Sequence, residues 1–239
     1  KKKMGSIGII DWGIWLVYVV FLALLLFLYR TTKKEDHYSY FLKGFGIKVF
    51  GGLAFALIYV YYYGFGDTFL YHKGATVLSQ TLLDSPNDYF DLLMSDGGNL
   101  PPRLGNFASQ IDYSRTYEEW FMVKILSVIN LISFQSYLVS TLFMSLISFI
   151  GTWKLFRVFV DIIPKHKNLA FIAAFLVPSV VFWGGGIMKD TVTLFAINYI
   201  IFLAYFSFYK KQFKPMMWGG IVVLALVIMS LKAYIFLAF

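Results

Sequence analysis

Cysteine is absent from this 239-residue chain. Disulfides, thiolate nucleophiles and Cys-ligated zinc are therefore excluded. Charge is scarce as well: 14% of residues are Asp, Glu, Lys or Arg, where a soluble domain carries roughly a quarter. Only three histidines occur, His37, His72 and His166, too scattered for a His-rich metal site. No internal repeat or low-complexity linker breaks the chain. Apolar residues dominate instead, at 59% with 21% aromatic and a mean hydropathy of +0.69. So few polar groups cannot cover a water-facing surface, and the chain belongs in a bilayer. The net charge of +8 then points to charge-biased loops rather than to nucleic acid.

Hydrocarbon about 30 Å thick needs roughly 20 apolar residues per crossing. Runs near that length lie at Ile7–Tyr29, Phe41–Tyr63, Ser136–Val158, Asn168–Trp183, Thr191–Phe208 and Met216–Phe239. The first is too long for a signal-peptide core and lacks a small-residue cleavage site. Segments in lipid must pair their own amides, so all six are expected to be helices. The fold class is thus all-α, a polytopic membrane bundle of about six spans. Phe121–Phe134 reads as an interfacial helix or as the start of a longer third span. Three regions follow: residues 1–63 with two spans, 64–120 as one long outer loop, and 121–239 with the interfacial helix and four spans. The last run reaches Phe239 without a polar flank, which reads as truncation.

Loop lysines and arginines set orientation. Arg30, Lys33 and Lys34, then Lys154, Arg157, Lys165 and Lys167, then Lys210, Lys211 and Lys214 are expected on one, cytoplasmic, face. Lys1–Lys3 conflict with that assignment. Residues 64–120 are acidic and fall on the outer face, as does the Gly184–Asp190 turn. Trp12, Trp15, Trp120, Trp153, Trp183 and Trp218 lie near span ends, as an aromatic belt requires. In the long loop, Thr76–Leu83 and Tyr89–Met94 suggest short amphipathic helices, the second started near Asp84 and Ser85. Leu78, Leu82, Phe90, Leu92 and Leu93 would lie on the membrane surface. Asp96-Gly97-Gly98-Asn99 and Pro101-Pro102 are turn chemistry. The loop is either a substrate-covering platform or a packed cap without chemistry.

Three outer-side features carry chemistry. YYYGFGDTFLYHK (Tyr61–Lys73) places Asp67 where an apolar run ends. A carboxylate there suits a general base, with Tyr71 and His72 expected on its helical face; alternatively Asp67 only caps a helix through the Phe69 or Leu70 amide. PSVVFWGGGIMKD (Pro178–Asp190) offers glycines, Lys189 and a helix start, an anion site; alternatively it is a hairpin with Lys189 snorkelling and Asp190 as the N-cap. Lys232 interrupts the last run, at a cost of about 2.5–3.5 kcal/mol unless paired; a phosphate, Asp190 or simple snorkelling would account for it. Asp11, Lys43 and Lys48 read as solvated boundary residues.

GDTFLYHKGA (Gly66–Ala75), PSVVFWGGGIMKD and LKAYIFLAF (Leu231–Phe239) together resemble the GT-C superfamily of polytopic glycosyltransferases, which use polyprenyl-phosphate sugars. The resemblance covers about Tyr59–Phe239. It implies transfer of a sugar from a lipid-linked donor to an envelope glycan or protein at the outer face of a bacterial cytoplasmic (inner) membrane. Asp67 would be the catalytic base. Tyr71, His72, Arg103, Lys189, Asp190 and Lys232 would hold substrate, and a divalent cation (Mg2+ or Mn2+) at Asp67 would assist. The paired acidic motif usual in that family has no counterpart beside Asp67, and the first helix is additional. A polysaccharide polymerase or ligase, an accessory subunit docking membrane protein partners through residues 64–120, and a transporter are the other readings.

Overall fold

The computed structural model describes residues 7–97, 104, 109–114 and 116–237. Among them the regular structure is all helical. In chain order, α1 spans Ile9–Thr31, α2 Phe41–Leu57, α3 Asp67–Asp84, α4 Pro86–Met94, α5 Tyr117–Ile132, α6 Tyr137–Ile162, α7 Lys167–Phe175, α8 Pro178–Phe182, α9 Lys189–Ala204 and α10 Pro215–Leu237. A 3-10 turn (Asp36–Tyr40) leads into α2, and π-turns (Ile58–Tyr63 and Tyr205–Tyr209) extend α2 and α9. The expected all-α membrane bundle is borne out: five helices are long and apolar enough to cross a bilayer. The chain is an integral membrane protein by that architecture.

The fourth run differs from expectation. Asn168–Trp183 is two short helices, α7 and α8, with extended Val177 between them. Pro178 causes the break. It has no N–H to bond the Ala174 carbonyl, and its ring disfavours a helical conformation at the preceding residue. The two pieces still climb beside α2. Tyr40 bonds Asn168, Phe175 lies over Gly44, and Val181 over Gly51. Chain direction is therefore as expected, and the basic connections do share one end. There Lys167 pairs with Asp36 at 3.3 Å and Lys210 with Asp161 at 2.6 Å. Lys1–Lys3 lie outside the described residues.

At the other end, which we call the loop end, α3 and α5 lie side by side in the same direction. Gly74 faces Val123, Thr76 accepts from Asn130 Nδ2 at 3.1 Å, and Gln80 donates to Gln135 at 3.2 Å. Within residues 64–97, most of the side chains expected on the membrane surface pack inward instead. Leu78 and Leu92 are fully buried, and only Phe90 of the five expected surface residues is strongly exposed. α3 also begins nine residues before the expected Thr76. Trp120 and Trp153 belong to the core rather than to a belt. The Trp120 indole N–H donates to the Ser95 carbonyl at 3.2 Å, and Trp153 packs among Phe41, Phe149 and Phe156. The turn chemistry at Gly98-Asn99 and Pro101-Pro102 lies outside the described residues.

Two apolar clusters hold the bundle. One joins α3, α4 and α5 to Met144, Ile187 and Leu231 at the loop end. The other gathers Phe41, Phe45, Phe149, Phe156, Phe171 and Phe175 at the basic end. Between them, α2 and the Gly184–Gly186 turn meet backbone to backbone. A Cβ on Gly52 would sit 2.7 Å from the Gly185 carbonyl oxygen and closer still to Ser145 Oγ. Gly52→Ala is therefore expected to destabilise by about 1–3 kcal/mol through overpacking. Gly46→Ala, on the same helix with nothing within 4 Å, is expected to be neutral. Melting temperatures of both purified variants in detergent check this, and equal values would remove the close contact as a constraint.

Candidate functional site

Two glycines deliver Asp67. Gly64 (φ 67°) ends the π-turn and Gly66 (φ 138°) turns the chain into α3. Asp67 is the first residue of α3, and Gly66 occupies the cap position, its carbonyl accepting from the Phe69 and Leu70 amides. The capping role is thus excluded: the Asp67 side chain bonds no backbone amide of its helix. Instead Oδ1 accepts from the Tyr113 hydroxyl at 2.7 Å, and the side chain is exposed.

Tyr71, one turn on, is buried and packs against the Tyr113 ring at 4.9 Å. Burial pushes its hydroxyl far above the ordinary phenol range, and Asp67, Tyr113, Glu119 and Asp190 push it further. Tyr113 is raised too, by burial and then by its bond to Asp67. Both phenols keep their protons, and that of Tyr113 is donated to Asp67. Lys73 pairs with Asp112 at 2.9 Å, but both are half-exposed, so this pair adds little.

The second part of the site comes from α5, α9 and α10. Met188 is the cap of α9, which corrects the assignment of that role to Asp190. Asp190 instead pairs with Lys232, and Lys189 pairs with Glu118 at 3.5 Å. Lys232 is the one non-helical residue inside α10 (φ −154°, ψ 76°), so the helix kinks at its ion pair. Each lysine thus has a carboxylate partner. An open cavity of about 560 Å3 lies between α8, α9 and α10. Asp190, Thr193, Ser179 and Gly184 line it.

Sequence-expected residues therefore fall into two neighbouring groups, Asp67 with Tyr71, and Lys189 with Asp190 and Lys232. Tyr71 belongs to the same buried cluster as Ile187 and Leu231, which lie close to Lys189 and Lys232 in the chain. His72 leaves the site. It faces the Tyr137 ring at 5.5 Å, across α3 from Tyr71, and its Nε2 is buried without a hydrogen-bond partner among the described residues. Successive helical residues point about 100° apart, so Asp67 and Tyr71 share a face and His72 does not. Arg103 lies outside the described residues. No three His, Cys, Asp or Glu side chains among the described residues form a metal-binding group. Asp67 supplies one carboxylate, whose Oδ1 is engaged by Tyr113.

Tyr113, Glu118 and Glu119 were legible only as loop composition. Lys48 was misassigned. It is fully buried, not a solvated boundary residue, and donates to the Val180 carbonyl at 3.1 Å. Its signal was present in the sequence: a lysine seven residues inside an apolar run. Compared with known protein families, curated proteins and solved structures, the chain matches none.

Two predictions rest on these buried groups. Burial lowers the His72 pKa to about 4, opposed by the Gln135 backbone and by Asp11. The folded state thus binds fewer protons than the unfolded chain between pH 6.5 and 4. The stability tied to the neutral ring is complete above pH 6.5 and falls by up to about 3 kcal/mol as pH drops through 4. His72→Gln should flatten that part of the pH–stability curve; an unchanged curve would place the ring in contact with water. For Lys48, a buried cation costs about 2.5–3.5 kcal/mol, and a charge-assisted bond returns about 1.5–3 kcal/mol. Lys48→Met is accordingly expected to change stability by only about 1 kcal/mol, read as melting temperature in detergent. A loss several times larger would make the lysine a structural requirement.

Proposed function

We propose that this chain is a membrane-embedded transferase of the glycosyltransferase kind, acting at the loop end on a lipid-linked sugar. The observation that carries the reading is the disposition of Asp67. It is a helix-start carboxylate that caps nothing and is oriented by the Tyr113 hydroxyl, and Tyr71 one turn on packs in the same buried cluster as Ile187 and Leu231, beside the ion-paired Lys189 and Lys232. The Asp67 carboxylate is exposed, which makes it accessible to an acceptor hydroxyl.

The chemistry follows from those positions. Asp67 takes the proton of the acceptor hydroxyl as its oxygen bonds to the anomeric carbon of the donor sugar. The bond from that carbon to the phosphate oxygen breaks, and the lipid phosphate leaves with the electron pair. Lys189 and Lys232 neutralise the charge that develops there. Tyr113 holds the carboxylate in one orientation and, with its raised pKa, stays a donor throughout. The loop end faces away from the cytoplasm in this reading, supported by the gathering of basic connections at the opposite end.

The test is product formation by the full chain in proteoliposomes supplied with polyprenyl-phosphate sugars. Asp67→Asn keeps the shape and removes the base, so product should fall by about 10²–10⁴-fold at unchanged protein level. Lys232→Met should lower it as well. Undiminished product from Asp67→Asn would remove Asp67 from the chemistry. No product from the native chain with any donor, together with loss of a co-purifying membrane protein on altering residues 64–97, would assign it to an accessory subunit.

A further inference from the structure

A second polar group lies on α6, near the basic end. Lys154 and Arg157 sit one helical turn apart on α6, five to eight residues before it ends at Ile162. That is about 8–12 Å along the helix, within reach of the headgroup layer for long side chains. Aromatic rings of α9 fix both. Lys154 Nζ lies 4.6 Å from the Phe202 ring centre and 5.1 Å from that of Tyr199, and the Arg157 guanidinium lies 5.2 Å from Phe202. Neither cation pairs with a carboxylate among the described residues, whereas Lys167, Lys189, Lys210 and Lys232 each do. The nearby Asp161 is taken by Lys210 and the Tyr205 hydroxyl.

Both unneutralised cations line a cavity of about 480 Å3 between α1, α2, α6 and α9. The rest of the lining is aromatic and aliphatic, with Leu22, Leu25, Leu26, Leu146 and Ile150 extending along α1 and α6 away from the cations. A hydrated free anion would lose water there without replacement, so the apolar lining disfavours it. A phosphate carrying an acyl chain satisfies both halves. α1 adds a reason for such a ligand: among its residues only Leu22 is buried, so protein contacts hold it thinly.

We propose that Lys154 and Arg157 form a binding site for one anionic phospholipid, its phosphate between the two cations and an acyl chain packed between α1 and α6. The ligand is chosen by charge and by the groove together, since basic pockets between spanning helices select anionic headgroups. This site is independent of the loop-end chemistry.

Native mass spectrometry and melting curves of the full chain in neutral detergent test it. The probes are phosphatidylglycerol, phosphatidylcholine of the same chains, and inorganic phosphate. Phosphatidylglycerol should be retained about tenfold or more over phosphatidylcholine and should raise the melting temperature; inorganic phosphate should do neither. Lys154→Gln with Arg157→Gln should abolish the preference, while Lys33→Gln with Lys34→Gln, an equal charge loss in the adjoining loop, should keep it. Leu25→Trp, on the half-exposed wall of the groove, should reduce retention with both cations intact, and it decides the matter if the double variant does not fold. Equal retention of the two lipids, a matching shift with phosphate alone, an unchanged preference in the Lys154 and Arg157 variant, or an equal loss in the loop control would each overturn the proposal.

Discussion

Within hydrocarbon a backbone amide or carbonyl has no water to turn to, and an unpaired one costs several kcal/mol. That constraint governs the part of this protein that departs from a simple bundle. Pro178 interrupts the fourth run and Gly184–Gly186 follow it: Gly185 lies beside Ser145, eight residues or about 12 Å into α6 from its Tyr137 end. Neighbouring side chains supply the donors that the interrupted helix lacks. Ser145 Oγ donates to Gly185 at 2.8 Å, Thr191 Oγ1 to Gly186 at 2.6 Å, and Lys48 Nζ to Val180. Gly51 and Gly52 leave the room in which α2, Ser145 and the turn meet. The glycines of α2, the hydroxyls of α6 and α9 and the buried lysine are thus one device, and the start of α9, with Lys189 and Asp190, is hung from it.

The outline of the bundle was readable because its cause is averaged over long stretches. Twenty apolar residues read as a span whichever residues they are, and the basic connections sort by count. The fourth run escaped that reading because composition does not register a single missing N–H. Pro178 was visible, but whether it kinks, ends or merely starts a helix depends on what its neighbours can satisfy. The cap of residues 64–97 was misread for a related reason. Leu78 and Leu92 are as apolar as lipid-facing residues, and only the meeting of α3 with α5 buries them.

Within the candidate site, what was legible followed sequence distance. Asp67 and Tyr71 share a face because they are four residues apart, and Lys189 and Asp190 share a helix start. The Asp190–Lys232 pair was one of several partners open to Lys232, and burial of charge narrowed the choice. Tyr113 and Glu118 reach their partners across 46 and 71 residues. Nothing local in the chain marks such contacts. His72 shows the opposite failure: one residue of helical rotation separates it from the site, and adjacency in sequence suggested a role that geometry withholds.

The ion pairs also bear on how an anion would enter. Both candidate phosphate-binding lysines are already neutralised, Lys189 by Glu118 and Lys232 by Asp190. An arriving phosphate therefore competes with a carboxylate rather than filling a bare positive pocket. The exchange is easier on the carboxylate side. Asp190 is 45% exposed and Lys232 only 17%, so the acid can turn toward water while the lysine stays in place. The kink of α10 at Lys232 frees backbone there from the helical ladder, which gives the lysine room to follow the new partner. Holding the cations in pairs until then spares the membrane two unpaired charges, and it makes affinity depend on ligands with more charge than a single carboxylate.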